Sequence, residues 1–178
     1  MNEAKKNDFW PEMVRPFVVL LVICLVVSAL LGVTHKITSP VIEQNALAAA
    51  EEARKAVLPA ATSFEEVEVP ADIQALGVTG FFKGDNGTGY VVTANGKGYG
   101  GDVGVTIGFD TDGKILKMQA DVSGETQGVG SKVGGMMDRF EGLTGTADGV
   151  ELKTGATYTS NAVRSAVNAA FSAVAKLG

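Results

Sequence analysis

From Phe17 to Thr34 the chain runs eighteen residues without a charged side chain, most of them Val, Leu and Ile. Few folds accommodate such a run. At 1.5 Å per residue, a helix of that length extends roughly 27 Å, close to the hydrocarbon thickness of a bilayer. Pro16 stands at its start, where a missing N–H does no harm, and Phe9 and Trp10 precede it as interfacial anchors. A cleaved signal peptide is the rival reading, but the run is long for one, so the segment is expected to stay in the protein. Leu21-Val22-Ile23-Cys24 has the outline of a lipoprotein cleavage site, yet Ile23 is too bulky for the position before the cysteine. Cys24 reads instead as a packing residue facing lipid or a helix. Lys5, Lys6 and Arg15 precede the run and only Lys36 follows it closely. This asymmetry places the N-terminus in the cytoplasm and the bulk of the chain outside the membrane.

The expected organisation follows: 1–16 as a cytoplasmic N-terminus, 17–34 as the span, 35–77 as a connecting helix and linker, and 78–178 as a globular domain. Val41 to Leu58 is Ala-rich, with Ile42, Ala46, Ala49, Ala53 and Val57 on one side, and Pro59 stops it. Thr62 to Leu76 is ambiguous, broken by Pro70. Val78 to Phe82 and Thr88 to Thr93 read as strands around the turn cluster Lys83-Gly84-Asp85-Asn86-Gly87. Val103, Val105, Ile107 and Phe109 alternate with smaller or polar residues, the period-two pattern of a half-buried strand. Asp112-Gly113 turns the chain into a returning strand, Ile115 to Val122, with Leu116, Met118, Ala120 and Val122 on one face. Gly134 to Leu143 suggests a short helix closing the core. The fold class is α+β: one transmembrane helix, then an antiparallel sheet flanked by helices.

Composition removes several functions. The formal net charge is −5 with Lys and Arg scattered, so no basic patch points to nucleic acid. A single cysteine rules out an intrachain disulfide, a Cys-based zinc site or a self-contained iron–sulfur cluster. The lone His35 has no metal-ligand pattern around it, and no metal site is assigned. No dinucleotide fingerprint follows a strand, and no His-containing acid–base pair stands out, so no catalytic residue is assigned. Any redox chemistry must come from a bound cofactor.

One stretch carries that possibility. Lys153-Thr154-Gly155-Ala156-Thr157-Tyr158-Thr159-Ser160 reads as a tight turn at the mouth of a helix. Gly155 permits positive φ, and Ala156 is small enough for a close approach. Ser160 and Asn161 are good N-cap residues, and Val163, Val167, Ala170, Phe171 and Val174 then give one apolar face. A helix N-terminus suits a phosphate, and three hydroxyls, on Thr154, Thr157 and Thr159, crowd the spot. From these residues alone, a hydroxyl-rich capping turn that binds nothing is the simpler reading. The Glu125-Thr126-Gln127-Gly128-Val129-Gly130 loop is likewise explained as a surface connection after a strand.

Thr154-Gly155-Ala156-Thr157 with the following Tyr158-Thr159-Ser160 resembles the signature of the FMN-binding domain family. That family includes the G subunit of the Rnf electron-transport complex and the C subunit of the sodium-translocating NADH:quinone oxidoreductase. Gly98-Tyr99-Gly100-Gly101, the Asp112-Gly113-Lys114-Ile115 hairpin and Glu125-Thr126-x-Gly128-x-Gly130 occur in the family's order. Gln127 replaces the family's usual proline, Val129 its leucine, and Glu151 the common Asp six residues before the modified threonine. The resemblance implies FMN held by a phosphoester to Thr157, with Thr154, Gly155 and Ala156 around the attachment. It further implies that Glu125, Thr126, Gly128, Val129 and Gly130 line the flavin. A threonine hydroxyl is a poor nucleophile without an activating base, and no His lies near. Attachment therefore implies a separate FAD:protein FMN transferase using Mg²⁺. The chain's length fits the Rnf G subunit, an electron relay in a membrane-bound, ion-translocating ferredoxin:NAD⁺ oxidoreductase with other membrane and peripheral subunits as partners. The alternatives are a C-type quinone-reductase subunit or another extracytoplasmic FMN relay, and an anchored assembly module without cofactor.

Overall fold

The computed structural model describes residues 9–125, 128 and 130–178. The chain divides into two compact units, residues 1–48 and 49–178. Helix α1 spans Phe9–Val57, where the sequence pattern suggested a span at 17–34 and a separate helix from Val41 to Leu58. Pro40 sits inside it and cannot donate to the preceding turn. The hydroxyls of Thr34 and Thr38 bond back to the carbonyls of Leu30 and Thr34, at 2.9 and 2.8 Å. Its apolar stretch, mean hydropathy 3.0 and wholly exposed, is long and apolar enough to cross a membrane. It is a candidate membrane span.

The second unit is built on one five-stranded antiparallel sheet whose strands neighbour one another in chain order. These are β1 (Phe64–Val67), β2 (Val78–Gly84), β3 (Tyr90–Lys97), β4 (Asp102–Phe109) and β5 (Ile115–Asp121). The stretch left open by its sequence pattern supplies edge strand β1 and the single turn α2 (Ala71–Gln74). Two carboxylates shape the turns. Asp85 accepts bonds from the Thr62 amide and hydroxyl, tying the β2–β3 turn to the chain before β1. Asp110 accepts the Asp112 and Lys114 amides at 3.0 and 2.8 Å, and Gly113 supplies the positive φ that closes the β4–β5 turn.

Strand β5 departs from simple alternation. Phe109 pairs with Ile115 but Gly108 with Lys117, so Leu116 is the extra residue of a β-bulge. The inward parity changes there: Ile115 and Met118 are buried while Leu116 faces solvent. The expectation that Leu116 shares a face with Met118 is therefore corrected.

One face of the sheet carries the main core. Val92, Ala94, Val103, Val105, Ile107 and Phe109 pack there against helix α3 (Thr157–Leu177) and a 3-10 helix, Gly130–Arg139. The expected helix at 134–143 is thus a 3-10 segment beginning earlier. Gly130, Val133 and Met136 recur at the three-residue period of that geometry, and all are buried. Phe109 meets Phe171 edge-on at 5.5 Å. The opposite face receives Val57, Leu58 and Ala61 against Val91.

α3 begins where no side chain caps it. Its stability comes from packing instead. Val163, Val167 and Phe171 are all buried, each contributing about 1.5–3 kcal/mol, against roughly 1 kcal/mol for a good cap. Gly96 lets the helix sit close: a Cβ there would lie 2.0 Å from the Ala162 carbonyl oxygen. This contact fixes the second turn of α3 over the end of β3.

Candidate functional site

The turn before α3 is tight, as its sequence suggests, but the helix begins earlier. Gly155 adopts φ +82°, Ala156 N–H bonds the Lys153 carbonyl at 3.1 Å, and Ala156 itself is buried. The chain enters helical backbone at Thr157, three residues before the expected caps. Ser160 already donates its N–H to the Ala156 carbonyl at 2.9 Å. Ser160 and Asn161 are therefore not caps. Ser160 Oγ accepts the Lys153 amide at 3.2 Å, and Asn161 Oδ1 accepts from Arg164 at 2.8 Å.

This start separates the three threonines. Thr154 and Thr157 are exposed, whereas Thr159 is only 2% exposed and points into the protein. Thr159 lies four and eight residues before Val163 and Val167, on the same inward face. Thr157 is left at the first position of the helix, where the first-turn N–H groups have no side-chain cap. An exposed hydroxyl beside uncapped amides at a positive dipole end can carry a phosphate without steric or electrostatic conflict.

Behind this turn stands Glu125, 7% exposed. Its Oε2 accepts the Thr159 hydroxyl at 2.8 Å and its Oε1 the Gly100 amide at 3.2 Å. Burial opposes ionisation of Glu125. The Thr159 hydroxyl and the backbone amides of Gly100, Gly101 and Tyr99 together outweigh it and hold the carboxyl below the ordinary carboxylate range. One carboxylate thus joins the Gly98–Gly101 loop to the first turn of α3. Glycines make room for it. A Cβ on Gly98 would lie 2.0 Å from Glu125 Oε1, and one on Gly130 would lie 2.3 Å from Glu125 Cβ. The glycine-rich segment at 98–101, weak as a phosphate motif, serves this buried acid.

The structure thereby brings together Thr154, Gly155, Ala156, Thr157, Glu125 and Gly130 from the expected site. Thr126, Gln127 and Val129 lie outside the described residues. Glu151 is exposed, and its carbonyl accepts Arg139 Nη1 at 3.0 Å, holding the segment that leads into the turn. The accompanying ion pair, 3.8 Å between exposed groups, adds about 0–1 kcal/mol. Sequence reasoning missed the inward turn of Thr159, which the helical period starting from Thr157 would have revealed. It also missed a contact between Tyr99 and Tyr158, whose ring centroids lie 5.9 Å apart beside Thr157.

Comparisons with known proteins place the chain among relatives. Residues 98–172 match the FMN-binding domain family, a span that includes the 98–101 loop, Glu125 and the turn into α3. The G subunit of the Na⁺-translocating ferredoxin:NAD⁺ oxidoreductase complex of Acetobacterium woodii is 30% identical over 194 residues, covering 94% of each chain. The G subunit of the proton-translocating ferredoxin:NAD⁺ oxidoreductase complex of Clostridium ljungdahlii is 28% identical over 165 residues, covering 85% of each. Matched to such relatives along nearly its whole length, and carrying the FMN-binding domain, this chain belongs to the family of G subunits of the Rnf ferredoxin:NAD⁺ oxidoreductase complexes.

Proposed function

We propose that the chain carries FMN as a phosphoester on Thr157 and relays electrons through it on the extracytoplasmic side of the membrane. The coarser part of this reading follows from family membership: the protein is an electron-transfer flavin subunit of a redox-driven ion translocase. It does not act as a catalyst alone, and other subunits of the complex are its partners. The finer part rests on one observation. Of the two threonines in the Thr154-Gly155-Ala156-Thr157 signature, Thr157 alone combines an exposed hydroxyl with the uncapped start of α3.

The chain's own residues have distinct tasks. Thr157 supplies the oxygen that forms the ester. Gly155 and Ala156 keep bulk away from it, and the first-turn amides of α3 stabilise the anionic phosphate. Thr154 stands at the entrance of the same turn. Glu125 holds the Gly98–Gly101 loop and the helix start in register, and Thr126, Gly128, Val129 and Gly130 would line the flavin ring. When bound, the flavin supplies the one- and two-electron chemistry that no side chain here provides. Maturation uses an FAD:protein FMN transferase with Mg²⁺, which transfers the FMN moiety to the Thr157 hydroxyl and releases AMP. Positive residues ahead of the span put the N-terminus in the cytoplasm and the flavin domain on the far side.

The test is denaturing electrophoresis of the full-length chain co-expressed with such a transferase. The band should fluoresce as a flavin under ultraviolet light, and Thr157→Ala should leave a dark band of equal protein content. A dark wild-type band under these conditions contradicts covalent attachment.

A further inference from the structure

Among the described residues of 49–178, exposed large apolar side chains are few: Leu76, Tyr99, Leu116 and Tyr158. Leu76 and Leu116 stand apart from the site, Leu76 beside the turn into β2 and Leu116 on the β5 bulge. The two tyrosines do not. Tyr99 is 75% exposed and Tyr158 71% exposed, yet their rings meet at a centroid distance of 5.9 Å and an interplanar angle of 52°. They come from segments nearly sixty residues apart in the chain. Tyr158 directly follows Thr157 on α3, and Tyr99 rides on the loop that Glu125 fastens to the same helix turn. Two aromatic rings exposed to this degree lose hydrophobic free energy to water unless a further surface covers them. Their rigid mounting is equally informative. The Gly100 amide and the Thr159 hydroxyl, each one residue from a tyrosine, are both held by the buried Glu125 carboxylate.

We propose that Tyr99 and Tyr158 form an aromatic clamp against which the isoalloxazine ring of the Thr157-linked flavin packs. The clamp rests on the attachment proposed above and adds to it a specific pair of ring contacts. A flat, polarisable, electron-poor ring matches two electron-rich phenols at offset or tilted geometry. The covalent link tethers only the phosphate end of the cofactor, and a long flexible ribityl chain separates that end from the ring. With the 126–130 loop as its only other contact, the ring would keep freedom to shift, and electron transfer to a partner protein would lack a defined distance. Tyr99 and Tyr158 are accordingly positioning residues, which orient the flavin and take no part in making the ester.

Contact between a phenol and a flavin has an optical signature. An excited flavin takes an electron from a tyrosine in van der Waals contact and returns it without emission, so the ring is quenched while it stays clamped. The experiment uses the full-length chain in detergent, loaded by co-expression with the transferase, with fluorescence normalised to bound flavin by absorbance. Tyr158→Leu and Tyr99→Leu should each raise the emission per bound flavin, and the double variant should raise it severalfold toward that of flavin peptides released by proteolysis. Tyr158→Trp keeps an electron-rich ring and should remain quenched, a rescue that a merely structural role for Tyr158 does not explain. The mass of the flavin adduct should be unchanged in every variant. Emission per flavin equal in wild type and double variant overturns the clamp while leaving the Thr157 ester intact. A wild-type chain without flavin on Thr157 overturns the attachment and the clamp with it.

Discussion

The Thr159 hydroxyl donates to Glu125 Oε2 at 2.8 Å, and both side chains are buried. This bond crosses thirty-four residues of sequence and locks the start of α3 to the loop after β5. Because Thr159 is committed there, its hydroxyl is withdrawn from the surface that Thr157 occupies.

Removing the acid should loosen the site and the fold together. Glu125→Ala leaves the Thr159 hydroxyl and the Gly100 amide without partners, at a cost on the order of 2–3 kcal/mol. Glu125→Gln keeps an acceptor for one of them and should lose less. Calorimetric unfolding of the two variants checks the order, and equal stabilities would contradict the described role.

The same group fixes a pH dependence. Its carboxyl is held below the ordinary carboxylate range in the folded protein. Its stabilising contribution is therefore complete at neutral pH, persists down to the pKa of the unfolded chain, and is lost as pH falls through the lower folded value. Acid titration of unfolding should show wild type losing stability over that range, while Glu125→Gln stays flatter. Parallel curves for the two would remove Glu125 from the acid response.

Gly96 tests how closely α3 must sit. A Cβ would meet the Ala162 carbonyl oxygen at 2.0 Å, backbone against backbone, so Gly96→Ala should cost about 1–3 kcal/mol. Gly104→Ala is the control, because its nearest neighbour, Asn95 Oδ1, lies 3.6 Å away in ordinary contact. A chemical denaturation midpoint that falls for Gly96→Ala and holds for Gly104→Ala is the expected result.

Much of this arrangement was legible in the sequence. Alternation from Val103 to Phe109 gave β4, the Asp112-Gly113 pair gave its hairpin, and three- and four-residue spacing gave the buried face of α3. What escaped had physical reasons. β1 is a four-residue edge strand with two central glutamates, so it shows no alternation to read. Leu116 breaks the parity of β5 through a bulge that only pairing reveals. The helix start was misplaced because Ser160 and Asn161 are good caps by residue type, whereas packing allows α3 to begin uncapped at Thr157. Glu125 was legible as part of the site, but its inward bonds to the 98–101 loop and Thr159 are long-range contacts that no local pattern encodes.

The bulge gives a simple check on that lesson. Leu116→Lys should change stability by less than about 0.5 kcal/mol, since the side chain already faces solvent, while Met118→Lys should cost on the order of 3 kcal/mol or more. Comparable losses for the two would restore the uninterrupted alternation.

Anchorage is tested on membranes from the expressing cells. With eighteen uncharged residues in α1, the full-length chain should remain in the pellet after an alkaline carbonate wash. Its release into the supernatant would contradict a spanning helix.

The central claim is that Thr157 bears the flavin, and peptide mass mapping of the loaded chain tests it most directly. After proteolysis, the mass of FMN less one water should fall on Thr157 and disappear in Thr157→Ala. That variant should stay folded and membrane-bound, since this side chain makes no capping bond. Thr157→Ser, which keeps a hydroxyl, should retain partial label, and Thr154→Ala and Thr159→Ala should keep the label where folding permits. Added mass on Thr154 or Thr159, or label persisting in Thr157→Ala, would contradict the account.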